Sequence, residues 1–186
     1  MTTSSVPTDV SANITENDVN EAQKDWCNGL LKISKAYRDN LDYKGEANNF
    51  IDRLYDFDRG SVFFRPTLAM APQNFRTTRE GALAYFIGED SSFPNDKGFA
   101  KLPWVSAEYD NEIEGKDAIQ IHGDIAIVMG NVYLRQAEVT AGGKEVVVDK
   151  VFVFRKDSSD GTLRLIVHNS AVSNIPNTEE PEDSLK

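Results

Sequence analysis

The stretch that decides the fold is 145–156, EVVVDKVFVFRK, together with 162–173, TLRLIVHNSAVS. In both segments the side chains alternate with the period of two that is typical of a β-strand. Asp160 and Gly161 stand between them, as a hairpin turn requires. The first segment is apolar on both faces, with Val146, Val148, Phe152 and Phe154 on one and Val147, Val151 and Val153 on the other. We therefore expect two neighbouring antiparallel strands in a sheet that is covered on both sides.

Further strands precede this pair. After Pro103, apolar Val105, Ala107 and Tyr109 alternate with polar residues, and a long strand region runs over 118–138. Turn residues stand at 123–124 and at 142–143. The second half of the chain therefore predicts an antiparallel meander.

The first half predicts three helices. One begins at Thr15, whose hydroxyl can cap the helix, with Asp18 in the capping-box position. A second pattern covers 47–55, and a third begins at Thr78. The apolar stripe of the first helix is Val19, Ala22, Trp26, Leu30, Ile33 and Tyr37.

Helices followed by a meander indicate an α+β fold, in which a curved antiparallel sheet wraps around the N-terminal helices and encloses a conical pocket. Strands at 61–70 and 74–77 are expected between the second and third helices. Residues 15–173 are predicted to form a single domain. Residues 1–14, rich in Ser and Thr, and the acidic residues 174–186 are predicted to be disordered tails.

Composition excludes several classes of function. The 186 residues carry 30 acidic and 20 basic side chains, a formal charge of -10, so binding to nucleic acid is not expected. One cysteine, Cys27, cannot form an intramolecular disulfide. No apolar stretch is long enough to cross a bilayer, and the first residues do not resemble a signal peptide. We expect a cytoplasmic protein without a membrane partner.

Histidine is scarce, which limits metal chemistry. His122 and His168 are the two histidines, so a zinc site of three histidines cannot be built within one chain. His122 begins a His-Gly-Asp turn, where exposure is the ordinary outcome. His168 lies inside the last strand, where Arg164, Ile166, Ser170 and Val172 are predicted to share its face. His168 and Ser170 can meet one ligand, or His168 can be a buried structural residue.

Two other segments offer polar side chains. Arg65 and Thr67 are predicted to project to one side of a strand in which Pro66 indicates an edge or a bulge. Arg65 is most simply the partner of a carboxylate, and Thr67 a satisfied strand threonine. Tyr85, on the third helix, is by default a core residue with its hydroxyl at the rim.

Five segments together resemble the iota-class carbonic anhydrases over about 19–173. The segments occur in the family's order along the chain, and Asp149-Lys150 precedes the final hairpin. The segments are FRPT at 64–67, FRTT at 75–78, GALAYF at 81–86, FPNDKGFA at 93–100 and IVHNS at 166–170.

This resemblance implies a nuclear transport factor 2-like fold, reversible hydration of carbon dioxide to bicarbonate, and a homodimer through the outer face of the sheet. It also implies a bicarbonate pocket lined by the hydroxyls of Thr67, Tyr85 and Ser170, with His168 beside them. Members are described with manganese or zinc, or with no metal. Where the family reads His-His-Ser-Ser, this chain reads HNSA at 168–171, which favours the metal-free variety and no cofactor.

Without zinc, charge must be stabilised by preorganised donors aimed at the oxygens of the forming bicarbonate. The three hydroxyls are the candidates, and the sequence leaves the general base unassigned. Two other functions remain open from the residues alone. One is an isomerase or dehydratase of the same fold, and the other is an association or ligand-binding module.

Overall fold

The computed structural model describes residues 13–137 and 145–172. Three α-helices come first: α1 (Glu16–Arg38), α2 (Tyr43–Leu54) and α3 (Arg79–Ile87). Thr15 caps α1 and forms the predicted capping box with Asp18, and Thr78 caps α3. The local signals at the helix starts therefore act as the sequence predicts.

The strands follow mainly in the second half of the chain. They are β1 (Phe63–Arg65), β2 (Trp104–Asp110), β3 (Glu112–Ile113), β4 (Lys116–Asp117), β5 (Ile119–His122), β6 (Ile125–Gln136), β7 (Val146–Lys156) and β8 (Leu163–Val172). Strand β1 is at the edge of a six-stranded sheet with the order β1-β8-β7-β6-β2, in which β5 also pairs with β6. Strands β3 and β4 form a separate two-stranded hairpin.

The core lies between the three helices and one face of the curved sheet. Helix α1 contributes Val19, Trp26, Leu30 and Ile33, all fully buried. Strand β7 faces them with Val148, Phe152 and Phe154, also buried, as its alternation predicts. Burial of these large side chains supplies the main driving force for the fold. The α+β prediction is confirmed.

Three expectations about strands are wrong. The strand predicted at 61–70 is only three residues long, and 74–77 contributes a single bridge, Phe64 to Arg76. Strand β1 pairs with β8 in parallel, so the sheet is not purely antiparallel. Val105 is 49% exposed because the register between β2 and β6 shifts between Trp104 and Ser106. Pro66 follows β1 at the sheet edge, as expected.

The predicted tails, 1–14 and 174–186, and the turn at 142–143 lie almost wholly outside the described residues. In the part of the chain that the structure describes, no helix combines the length and the apolar character that a membrane span needs.

Candidate active site

A bulge in β8 sets which side chains point into the core. Val153 pairs with Val167 whereas Phe154 pairs with Leu165, so Ile166 is an extra residue in the ladder. Leu165 before the bulge and His168 and Ser170 after it are therefore all buried. The prediction that His168 and Ser170 share a face is confirmed. The prediction that Arg164 and Ile166 lie on that face is wrong, because the bulge turns them away from it. Val172 pairs with buried Val148 and keeps the predicted face, although it is 50% exposed at the end of the strand.

His168 is held by a chain of hydrogen bonds that begins on α1. The indole nitrogen of Trp26 donates to the Tyr55 hydroxyl over 2.9 Å, and that hydroxyl lies 2.9 Å from His168 Nδ1. The Phe64 ring stacks on the imidazole at 4.3 Å between centroids. Burial, followed by the nearby charge of Lys150, holds the pKa of His168 well below its ordinary value. The imidazole is therefore neutral at pH 7.

Lys150 completes this cluster, although the sequence pattern marked it only within the Asp149-Lys150 pair of the resemblance and not as a site residue. Its amine lies 3.0 Å from His168 Nε2, and the side chain is 3% exposed. Burial lowers its pKa to about 7. The signal was available, because Lys150 occupies the inward-facing position between Val148 and Phe152 in the period-two pattern of β7. A lysine at such a position is buried, and a buried lysine is a candidate functional group.

Ser170 lies at the same nitrogen. Its Oγ is 3.4 Å from His168 Nε2 and 3.4 Å from the backbone carbonyl of Arg65. The Arg65 guanidinium in turn donates to the backbone carbonyl of Ser170 over 2.8 Å. Arg65 was predicted to pair with a carboxylate, and this is wrong: it ties the edge strand β1 to β8. Asn169 points to the outer face and is exposed, as expected.

Tyr85 and Thr67 form a second polar group. Tyr85, on α3, is 5% exposed, and its hydroxyl makes no hydrogen bond of ordinary length and angle among the described residues, although the Thr67 hydroxyl and the Leu68 backbone lie near it. Burial raises the pKa of Tyr85, while the Leu68 backbone and the Thr67 hydroxyl act to lower it. Thr67, half-buried in the turn after β1, is therefore close to the Tyr85 hydroxyl. A buried donor without a partner is costly, so the Tyr85 hydroxyl is suited to a ligand.

Phe64 packs between the two groups. Its ring contacts Tyr85 edge to face at 5.5 Å and His168 face to face at 4.3 Å. One aromatic wall therefore joins the Thr67–Tyr85 pair to the His168–Ser170 pair. That all three hydroxyls border a single cavity stays a prediction. Chemically, neutral hydroxyl donors next to aromatic walls suit a small anion whose charge is spread over several oxygens.

His122 and Cys27 differ in exposure. His122 is exposed at the end of β5. Cys27 is buried, and burial raises the pKa of its thiol to about 12. Within 13–137 and 145–172, no group of three or more His, Cys, Asp or Glu side chains is arranged to hold a metal ion.

Fold and site thus define a small α+β protein with a buried cluster of hydroxyls beside a neutral histidine. Residues 17–172 match the family described as "Metal-independent carbonic anhydrase", and the chain belongs to that family. A metal-independent carbonic anhydrase of Nostoc sp. is 44% identical over 165 residues, which cover 88% of this chain and 76% of the relative.

Two solved structures are similar to this chain. A cyanobacterial iota-carbonic anhydrase complexed with bicarbonate superposes with a TM-score of 0.80 at 42% identity, over 91% of this chain and 98% of that one. A putative calcium/calmodulin-dependent protein kinase II association domain from Xanthomonas campestris gives a TM-score of 0.55 at 18% identity, over 92% and 94%. The second likeness shows the fold alone.

These matches confirm the resemblance found in the sequence. The chain is a carbonic anhydrase of the iota class, which catalyses the reversible hydration of carbon dioxide, and its family is described as metal-independent. They favour this function over the isomerase or dehydratase and over the association module.

Proposed function

We propose that bicarbonate binds between the hydroxyls of Thr67, Tyr85 and Ser170, with His168 orienting Ser170. The observation that carries this proposal is the Tyr85 hydroxyl, which is buried and makes no hydrogen bond of ordinary length and angle among the described residues. The bicarbonate complex of the cyanobacterial relative supports the same ligand.

The chemistry follows from neutral donors. In hydration, a water oxygen attacks the carbon of carbon dioxide, and negative charge develops on the carbon dioxide oxygens. Hydroxyl groups fixed beforehand can donate to those oxygens as the charge forms, and the walls of Phe64 and Phe99 around Tyr85 keep the local dielectric low. Residues 64–67, 85 and 168–170 supply these groups themselves, so this account needs no metal or cofactor.

His168 serves as a fixed support for Ser170. Its Nδ1 is engaged by Tyr55, and its Nε2 lies 3.4 Å from Ser170 Oγ. A neutral, immobilised imidazole fixes where the Ser170 hydroxyl points without adding a charge that would trap bicarbonate.

The test is a titration of each purified variant with carbon-13 bicarbonate, followed by NMR line broadening. Thr67→Ala, Tyr85→Phe and Ser170→Ala should each weaken binding about ten-fold or more, in keeping with the loss of one preorganised donor. Asn169→Ala, one residue away on the opposite face, is the matched control and should bind as the wild type does. Equal binding by all four variants would overturn the site.

A homodimer through the outer face of the sheet is part of the same proposal. Phe63, Val167, Val153 and Ile127 are successive partners across four strands, and Phe63 is 66% exposed. A row of apolar side chains on an outer face suits contact with a second copy. Val153→Lys should convert a dimer into a monomer in sedimentation velocity, whereas Glu112→Lys on the separate hairpin should not. A wild-type monomer would contradict the dimer.

The proposed compartment is the cytoplasm, or the plastid stroma in a eukaryote. A single, buried, unpaired cysteine supports a reducing compartment. We also keep the expectation of no nucleic-acid and no membrane partner, which the charge of -10 supports. Cell fractionation and imaging of the tagged protein test the compartment.

A further inference from the structure

Lys150 and Ser170 are a cross-strand pair at the centre of the buried cluster. They are direct partners in the β7–β8 register, and both side chains point into the core, where they are 3% and 2% exposed. Opposite residues on one face of an antiparallel pair have Cβ atoms about 5 Å apart. Both reach the same atom, His168 Nε2, at 3.0 Å from the amine and 3.4 Å from the hydroxyl.

The hydrogen-bond chain permits two arrangements of protons. Trp26 Nε1 can only donate, so the Tyr55 oxygen accepts from it, and that oxygen can accept a second hydrogen from His168 Nδ1 or donate its own to it. With the imidazole hydrogen on Nε2, Lys150 accepts it as a neutral amine; with that hydrogen on Nδ1, Nε2 accepts from an amine or an ammonium group. The cluster therefore accommodates Lys150 as a neutral amine.

The surroundings of Lys150 also accommodate its charged form. The amine lies 4.5 Å from the centre of the Trp26 ring and 5.7 Å from that of Phe152, within the range of cation–π attraction. Among the described residues, Lys150 has no ion pair with a carboxylate. A base that is stable in both protonation states, and not committed to an acid, is suited to take up and release a proton.

The titratable groups facing Lys150 are neutral at pH 7. They are Cys27 on α1, Tyr55 after α2, Tyr109 beside Phe152 and His168 on β8. Burial raises the pKa of the Cys27 thiol to about 12 and raises the pKa of both tyrosines, while it lowers the pKa of His168. None of these four groups can therefore retain a proton from water at neutral pH.

We propose that Lys150 is the proton acceptor of the hydration reaction and acts through Ser170 and His168. This rests on the bicarbonate site proposed above. As the water oxygen bonds to the carbon of carbon dioxide, a water O–H bond breaks. That proton passes to the Ser170 oxygen as the Ser170 hydrogen passes to His168 Nε2, and the imidazole passes a proton on to the Lys150 amine, which leaves bicarbonate, a neutral imidazole and an ammonium group. The ammonium then gives its proton to a buffer base, which restores the amine.

A cavity lined by Cys27 offers the Lys150 proton a route to solvent. Cys27, which interacts electrostatically with Lys150, lines a cavity of about 430 Å³ between α1 and β2. The cavity is also lined by Gln23 and Tyr109, whose polar side chains can order water. Water in this cavity can carry the proton from Lys150 to the buffer.

The experiment measures carbon dioxide hydration by stopped flow from about pH 6 to about pH 9 for the wild type, Lys150→Met and a surface control, Lys116→Met. Wild-type activity should rise through pH 7 as the amine loses its proton. Lys150→Met should lose about 100-fold in rate, lose that rise, and regain activity with added methylamine. A Lys150→Met enzyme with the wild-type profile would overturn the proposal.

Two further readouts separate the possible failures. Lys150→Met should bind carbon-13 bicarbonate within a few-fold of the wild type, whereas Ser170→Ala should bind it more weakly. If Ser170→Ala loses binding but Lys150→Met keeps the wild-type pH profile, the role of Lys150 is refuted and the hydroxyl site stands. If Lys150→Met does not fold, carbon-13-labelled lysine in the wild type decides. One lysine should titrate near pH 7, and a protein whose lysines all titrate above about pH 9 would overturn the proposal.

Discussion

Arg76 and Asp96 form a buried, bidentate ion pair that joins two of the segments by which this family is recognised. Arg76 Nη2 lies 2.7 Å from Asp96 Oδ1, and Nε lies 3.1 Å from Oδ2, with the two side chains 2% and 4% exposed. The Phe93 ring covers the guanidinium at 4.6 Å. The pair fixes 93–96 against the start of α3, the helix that carries Tyr85. FRTT and FPNDKGFA therefore form a support for the site.

Arg76→Lys is expected to destabilise the protein by about 3 kcal/mol, because lysine cannot make the bidentate contact and leaves the buried Asp96 poorly compensated. Arg79→Lys is the matched control. Arg79 pairs with Asp52 in the same region, but these side chains are 31% and 55% exposed, so the change should cost no more than about 1 kcal/mol. Urea unfolding measures both. Equal losses would show that burial of the Arg76 pair is not what matters.

Tyr85→Phe should separate stability from activity. The Tyr85 hydroxyl is buried and makes no hydrogen bond of ordinary length and angle among the described residues, so its removal from the free protein should leave the stability unchanged or raise it by about 1 kcal/mol. The same change should lower the hydration rate about ten-fold or more, because one donor to bicarbonate is lost. Thermal unfolding and stopped-flow hydration give the two values, with exposed Tyr37→Phe as control. A large loss of stability would place Tyr85 in the packing of the core instead.

Lys150→Met should make the protein more stable near neutral pH. Burial lowers the pKa of Lys150 from 10.5 to about 7, so the folded state binds fewer protons than the unfolded chain between these values. The resulting cost to the wild type is complete below about pH 7 and fades as the pH rises towards 10.5, where the amine is uncharged in both states. It amounts to a few kcal/mol.

The stability gain of Lys150→Met should therefore be largest at pH 7 and below, and should shrink by pH 10. Denaturant unfolding of wild type and variant at several pH values measures it. A gain that does not depend on pH would mean that Lys150 titrates at its ordinary pKa, and that its burial has another explanation.

Local signals allowed much of this fold to be predicted. Thr15 with Asp18, and Thr78, mark helix starts through side-chain caps that depend on a few neighbouring residues. The alternation in β7 predicted its buried face because a strand without a bulge keeps the period of two. The same alternation placed Lys150 between Val148 and Phe152, so its burial could have been predicted as well.

Features that depend on pairing between distant strands were not predictable. The bulge at Ile166 arises from the register of β8 on β7, and no residue within β8 announces it. The Arg65 contact with the Ser170 carbonyl requires β1 to lie parallel to β8, which the sequence pattern does not state. His168 and Ser170 kept their predicted face because both lie after the bulge, whereas Arg164 and Ile166 did not.

The most direct test of the account is carbon dioxide hydration by exhaustively chelated protein of verified metal content, comparing the wild type with Ser170→Ala and Asn169→Ala. The account predicts full activity for the metal-depleted wild type, a loss of about ten-fold or more for Ser170→Ala, and near wild-type activity for Asn169→Ala. Activity that disappears on chelation and returns with manganese or zinc would contradict it, as would a silent Ser170 change beside an inactive Asn169 variant.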